Sequence, residues 1–416
     1  MIRKALAAVC GEVRDSDQLE GAFAAAAPAS TEEAAAVMRV AAEHELAVVA
    51  RGGGSRLDWG IPASRCDLVV DMSRMSSVVE HAAGDLVARM QAGARMGDVA
   101  AVLAGAGQEI ALDVPGDATV GGIVASGLAG PRRLRYGTPR DLLIGITIVR
   151  ADGTVAKSGG KVVKNVAGYD LGKLFAGSAG TLGLITEATF RLHPLPAARA
   201  FVTAEYVAVS VACDAVAAAA NSPLVASAVE LARAAPDGPI RIGVLLEGSA
   251  DGVETRSARM AGLLGKAEVS ADPPQWWPGA PQARSGETLI RVSFWVSALA
   301  RVLDAIGAAA ANTGVSPVIA GSAGAGVLYL RVDPSSAATA EFTGALRGAL
   351  AREPGGAVAG ERGAVAVLAA PAAVRRQLIG RGGMSGMVPG LALMRAVKDQ
   401  FDPGHRMAPG RFPAAL

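Results

Sequence analysis

Three glycines in seven residues, Gly177-Ser-Ala-Gly180-Thr-Leu-Gly183, run without a break into the alternating segment Leu184-Ile185-Thr-Glu187-Ala-Thr-Phe190. A backbone stripped of side chains at that spacing must approach something closely, and the alternation behind it predicts a strand. Two further glycine-bearing stretches precede it. Arg51-Gly52-Gly53-Gly54-Ser55 follows a short apolar run at 46–50, and Pro115-Gly116-Asp-Ala-Thr119-Val-Gly121-Gly122 opens an apolar, helix-like run through Ala125, Ser126 and Gly127. All three loops lie at predicted strand ends, where backbone N–H groups in a concave turn hold an anion without a positive side chain.

A chain of 416 residues exceeds one compact core of usual size, so two domains are expected. Hydrophobic residues at 51% with charged residues at 19% exclude a disordered chain. Much of the apolar share is alanine, which weakens helix predictions built on it. The formal net charge of +2, spread along the chain, gives no electrostatic footprint for nucleic acid. One dense basic patch, Arg132, Arg133, Arg135 and Arg140, is broken by glycine and proline and reads as a loop, either a solvated surface or a face for an anionic ligand or partner. Cys10, Cys66 and Cys213 are too far apart for a disulfide framework, a zinc site or iron–sulfur ligation, and a cytoplasmic protein is the simplest expectation. The N-terminus begins like a signal peptide, but Glu12, Arg14 and Asp15 cut its apolar run short. No apolar run reaches the ~18 residues needed to span a bilayer, so membrane contact is expected only through partners.

Ser30-Thr31-Glu32-Glu33 is a capping-box pattern that predicts a helix over 31–45. Strands are expected at 67–72, 86–91 and 142–149, the last followed by an Asp152-Gly153 hairpin turn, and a helix at 96–105. Paired prolines at Pro194 and Pro196 mark a domain boundary near 197. Beyond it, strands at 241–246, 289–296 and 327–332 alternate with Ala-rich helical stretches, a second α+β domain. A tail helix at 391–398 is stopped by Asp402-Pro403-Gly404. No internal repeat is visible.

No Gly-x-Gly-x-x-Gly occurs and no Gly-Lys pair is followed by Ser or Thr, which excludes the Rossmann fingerprint and the P-loop. The three loops in order, with the run Lys164-Asn165-Val-Ala-Gly168-Tyr169-Asp170-Leu171, resemble the signature of FAD-linked oxidases related to vanillyl-alcohol oxidase. The likeness is strong over 45–195, and the tail Phe401-Asp-Pro-Gly404 through Pro409-Gly-Arg411 is similar to that family's closing turn near the flavin. The resemblance implies an α+β fold: a PCMH-type FAD-binding domain of two α+β subdomains (1–197), an α+β cap domain (198–380) and a C-terminal segment returning to the flavin (381–416). It assigns the pyrophosphate to Arg51, Gly52, Gly53, Gly54 and Ser55. Pro115, Thr119, Gly121, Gly122, Ala125, Ser126 and Gly127 take the phosphate and flavin side, and Gly180, Gly183 and Ile185 the adenine or ring environment. Relatives that tether FAD do so through His or Cys near the first loop, and none lies between Arg51 and Cys66, so noncovalent FAD is expected.

Gly127-Leu-Ala-Gly130-Pro-Arg132-Arg133, Arg140-Asp141, Gly159-Gly160-Lys161 and Leu289-Ile-Arg291 look more narrowly like the smaller flavin subunit of bacterial glycolate oxidase, the GlcE family. That likeness implies a complex oxidising a small 2-hydroxy acid, with a larger flavoprotein and an iron–sulfur subunit as partners, peripheral at the inner face of the plasma membrane. Alternatives are a self-sufficient FAD-dependent 2-hydroxy-acid dehydrogenase and a non-enzymatic assembly subunit that keeps the flavin fold. Oxidising a 2-hydroxy acid needs a base and a cation or metal for the carboxylate. The four histidines, His44, His81, His193 and His405, have no metal-ligand spacing, so no metal is expected and the catalytic residues are left unassigned. His405 is a candidate base and Arg291 a candidate carboxylate clamp, with a surface residue the alternative for each. Trp276 and Trp277 read as cap packing or a partner contact.

Overall fold

The computed structural model describes residues 1–15, 21–161, 169–333, 336–351, 363–386 and 388–411. Residues 164–168 of the sequence motif lie outside them. The chain divides into two compact units, one of Met1–Ala129, Gly137–Leu195 and Gly390–Leu416, the other of Gly130–Tyr136 and Pro196–Pro389.

The first unit is built on two sheets that share one hydrophobic core. In the four-stranded sheet, Leu68–Asp71 pairs in parallel with both Ala24–Ala26 and Val48–Arg51. Leu68–Asp71 is buried along its whole length, the pattern of an inner parallel strand. The second sheet is antiparallel, in the order Val78–Ala82, Val87–Gln91, Leu184–Arg191, Leu143–Val149, Val155–Gly159. The helix Thr31–Glu43 starts where the capping pattern puts it: Ser30 accepts from the Glu33 N–H at 3.1 Å, and the Glu33 carboxylate accepts from the Ala29 N–H at 3.0 Å. Its Ala34, Val37, Met38 and Ala41 enter the core, and Thr31 reaches the second sheet through a 3.0 Å hydroxyl bond to Thr186. The N-terminal segment is an amphipathic helix, Ile2–Val9, whose Leu6 is fully buried in the same core.

The second unit repeats itself, although its sequence shows no repeat. Ala198–Tyr206, helix Val209–Ala220, Ala228–Arg233, Ile240–Gly248, helix Ala250–Leu264 and Ala267–Ser270 form one strand–helix–strand–strand–helix–strand series. Thr288–Ser293, helix Leu299–Thr313, Val318–Gly321, Val327–Val332, helix Ser336–Leu350 and Ala364–Ala369 form the second. Pairing within the two halves is equivalent, and they join into one eight-stranded sheet where Ala228–Arg233 runs antiparallel to Val318–Gly321. Such a repeat requires only matching alternation of apolar and polar positions, which many sequences satisfy, so it survives without sequence identity. Trp276 and Trp277 pack on this sheet: a side chain at Gly243 would come within 2.8 Å of both rings, and Trp277 meets Phe201 edge-on at 4.9 Å.

The basic patch is not a solvated loop. Arg133–Tyr136 is a short helix of the second unit, and Arg132 is buried there, 3.5 Å from the equally buried Glu247 carboxylate. Glu247 also receives Arg199 Nε at 3.0 Å and the Tyr136 hydroxyl at 3.3 Å, while Arg133 donates to the Tyr329 hydroxyl at 3.0 Å. Guanidinium planes stacked on Tyr136 and Tyr329 complete the cluster; of the four arginines only Arg135 and Arg140 stay exposed.

Candidate functional site

The first glycine loop leaves the end of Val48–Arg51, where Arg51 is held by a buried carboxylate. Asp71 Oδ2 accepts from Arg51 Nη2 at 2.6 Å and from Arg14, and Asp71 Oδ1 accepts from the Ser73 N–H at 3.0 Å. Burial alone would raise the Asp71 carboxyl, but the bonds from Arg51 and Ser73 outweigh it and hold the group below its ordinary value. Arg51 therefore braces the loop from behind. Past it, the N–H groups of Gly53, Gly54 and Ser55 donate to no backbone acceptor among the described residues, and Gly54 takes a left-handed φ of 78°. Arg56 follows, its guanidinium 5.1 Å from the Trp59 ring centroid and in the field of Asp117 and Asp58; burial lowers its pKa from the ordinary value.

The second loop abuts the first. A side chain at Gly52 would overlap Thr119 Oγ1, and one at Gly53 would meet the Asp117 carbonyl at 3.1 Å. Thr119 caps the helix Val120–Ser126 by accepting from the Gly122 N–H at 3.3 Å, and Gly127, at φ 64°, ends it. Gly121 sits where a Cβ would come within 2.8 Å of Ala92, and its N–H donates to the Ala92 carbonyl at 2.7 Å. The N–H groups of 120–123 are thus consumed inside the protein. What the half-buried Pro115, the exposed Gly116 and Gly122, and the half-buried Gly121, Ala125 and Ser126 offer a ligand is close backbone approach.

The third loop abuts the second. The Gly177 N–H donates to Val124 O at 2.9 Å and the Ala179 N–H to Ala125 O at 2.7 Å, while Gly127 and Gly177 meet backbone to backbone. Gly177, Ala179 and Gly180 are all left-handed, at φ 82°, 53° and 76°, and a side chain at Gly180 meets no protein atom within 4 Å. Gly183 and Ile185 lie deeper, buried at the start of Leu184–Arg191 with the Ile185 side chain in the core. All three loops therefore come together in the first unit.

Sequence reasoning missed what ties them. Lys398, in the helix Leu391–Phe401, is fully buried, and its Nζ donates to Asp402 Oδ2 at 2.6 Å, Thr181 O at 2.7 Å and Met407 O at 3.0 Å. Burial lowers the Lys398 pKa from its ordinary value, with Asp402 pulling the other way. The tail then runs along Val48, exchanging bonds of 2.8 Å, and Arg411 clamps the turn after the first loop through Leu57 O at 2.8 Å and Trp59 O at 2.9 Å. The i,i+4 spacing of Lys398 and Asp402 was the available signal, but on a tail helix it reads as a surface pair.

His405, at φ 49°, is partly buried and pairs through Nε2 with the exposed Asp399 at 2.9 Å, and Arg291 is an exposed residue of the second unit's sheet. His81 is engaged with Gln108 at 2.9 Å, and His44 ends the Thr31–Glu43 helix. Among the described residues no three His, Cys, Asp or Glu side chains gather as metal ligands, and no helix is long and apolar enough to cross a membrane.

Residues 23–159, which carry the first two loops, match the family model described as FAD binding domain. Over that stretch the chain is similar to an FAD-binding domain. The chain is 35% identical over 196 residues to glycolate oxidase subunit GlcD of Bacillus subtilis, covering 46% of this chain and 41% of that protein. It is 35% identical over 197 residues to the cytochrome-linked mitochondrial D-lactate dehydrogenase 1 of Saccharomyces cerevisiae, covering 47% of this chain and 33% of that one. The match thus spans well under half the length of either relative. Among solved structures, p-cresol methylhydroxylase with substrate bound superposes with a TM-score of 0.73 over 99% of this chain and 96% of its own, at 16% identity. That likeness carries the fold, and the fold is the PCMH-type α+β arrangement expected from sequence. The FAD-binding domain takes FAD as its cofactor, and its residues fit one. Glycines stand where side chains would fill the loop junctions, three N–H groups of the first loop are free of backbone acceptors, and the buried Ser178 hydroxyl has no hydrogen-bond partner among the described residues.

Proposed function

We propose that this chain is the FAD-binding subunit of a glycolate oxidase complex, relaying or assisting electron transfer beside a catalytic flavoprotein and an iron–sulfur partner. The observation that carries the reading is the 35% identity to a glycolate oxidase subunit over 196 residues, taken with the pairing of His405 to Asp399. In the overall reaction glycolate loses two electrons and two protons to become glyoxylate. FAD supplies the two-electron acceptor when bound.

In this reading the N–H groups of Gly53, Gly54 and Ser55 hold the diphosphate, with Arg51 bracing their loop and Arg56 adding positive charge nearby. The Thr119 cap and Gly121, Gly122, Ala125, Ser126 and Gly127 let the backbone come close to the cofactor. Gly180, Gly183 and Ile185 set the third wall. The cofactor is held without a covalent bond: Cys66, the thiol nearest the first loop in sequence, is buried, faces the Leu68 carbonyl and is pushed up to about 11 by burial, so it offers no thiolate at neutral pH. His405 pairs with Asp399, and in this reading the substrate chemistry falls to the partner flavoprotein.

Likeness to a D-lactate dehydrogenase favours a second reading, a self-sufficient 2-hydroxy-acid dehydrogenase. Affinity purification from the native host and turnover with an artificial acceptor separate the two. The subunit reading expects co-purifying flavoprotein and iron–sulfur chains, an active complex and a nearly inert isolated chain. An isolated chain turning over glycolate or D-lactate at about 1 s⁻¹ or more, within the ordinary enzyme range, would replace it with the dehydrogenase.

A further inference from the structure

Besides its backbone bonds to Val124 and Ala125, the third glycine loop is tied to the C-terminal tail by one ammonium group. Lys398 Nζ has three donors, and all three are used, on Thr181, Asp402 and Met407. The bond to Thr181 joins segments 217 positions apart in sequence. Asp402 is equally buried and is itself fixed by the N–H groups of Met407 at 2.7 Å and Arg406 at 3.1 Å, so the ammonium cannot drift without breaking the tail. From Thr181 the fixation continues inward. Its N–H and hydroxyl both donate to the Ser178 carbonyl, at 3.0 and 2.7 Å. Ser178 sits between Gly177 and Ala179, both left-handed, and its buried hydroxyl finds no partner among the described residues.

A buried hydroxyl without a partner is costly, and one held this firmly in a strained loop beside two other glycine loops calls for a partner the chain does not supply. We infer that Ser178 hydrogen-bonds bound FAD and that the buried Lys398–Asp402 pair is the positioning device that aims it through Thr181. The inference rests on the assignment of the third loop to FAD. It makes the tail part of the cofactor site's construction: the same segment that fixes Ser178 also bridges to Val48 and clamps the turn after the first loop.

The test is a double-mutant cycle on FAD affinity, measured by titrating the flavin-free full chain with FAD and following flavin fluorescence. Ser178→Ala is expected to weaken binding about threefold to tenfold, the range of one neutral hydrogen bond. Lys398→Met is expected to weaken it by about tenfold or more. The double variant should bind within about twofold of Lys398→Met alone, because the hydroxyl has already lost its placement. Leu6→Ala, a core truncation in the N-terminal helix, is the stability control and should lower the melting temperature while leaving FAD affinity within about twofold of wild type. Wild-type chain that takes up no FAD sinks the cofactor reading and this inference with it. Wild-type chain that binds FAD while Ser178→Ala binds equally well, or while the two losses multiply, overturns this inference alone. Should Lys398→Met not fold, Lys398→Met/Asp402→Asn removes both charges together and carries the same cycle. If neither folds, the pair is scaffold for the whole unit and the positioning role is wrong.

Discussion

Replacing Asp71 by Asn should destabilise the first unit by about 3 kcal/mol at neutral pH. Asp71 is 2% exposed and Arg51 7%, so the 2.6 Å pair between them is out of water, and removing one partner of such a pair costs about 3–5 kcal/mol. The lower figure applies because an Asn oxygen still accepts from the Ser73 N–H and because Arg14, the second cation, is half exposed and can rehydrate. For a unit of this size about 2–4 °C accompanies each kcal/mol, which gives a melting-temperature loss of roughly 6–12 °C. The pH dependence has a definite sign. Asp71 is depressed below its ordinary 3.8 in the folded chain, so its contribution is present above that value and lost as the pH falls through the folded value. The gap between wild type and Asp71→Asn should be full from about pH 6 to 8 and close below about pH 4. Differential scanning calorimetry across pH 3–8 reads both quantities. A gap under about 2 °C at pH 7, or one that widens on acidification, refutes the claim that this carboxylate braces the first loop.

Gly121→Val and Gly180→Val should fail differently. The first puts a Cβ 2.8 Å from Ala92 and should cost soluble, folded protein whether or not FAD is present; the second meets no protein atom within 4 Å and should fold, with a left-handed strain of about 1–2 kcal/mol, while losing FAD. A Gly180→Val chain with a full flavin spectrum removes the third loop from the site. Glu247→Gln should lower the melting transition of the second unit, because it leaves Arg132 buried without its counter-charge; the loss expected is about 3 kcal/mol, and calorimetry showing no change would return the arginines to a passive surface role.

Local rules carried far in this chain. Ser30 and Glu33 placed the helix start, Asp152-Gly153 the hairpin, and the alternation after Gly183 the strand Leu184–Arg191, because each is decided by neighbours in sequence. The grouping of the three glycine loops was legible from their order. What held them was not: Asp71, Lys398 and Asp402 are charged residues whose burial depends on segments far away, and a single sequence gives such residues a surface reading. The same reasoning misread Arg132, whose partner Glu247 lies 115 positions on. The doubled architecture of the second unit was invisible because it is a repeat of topology. Catalytic residues stayed unassigned at both levels: His405 is paired with Asp399, and Arg291 is an exposed strand residue.

Flavin content tests the central claim most directly. The full chain, purified, stripped of bound small molecules and titrated with FAD, should take up one equivalent per chain, and acid precipitation of the reconstituted yellow protein should release all the colour to the supernatant as unmodified FAD. Colour retained in the pellet contradicts noncovalent binding. A folded chain that takes up no FAD contradicts the account as a whole.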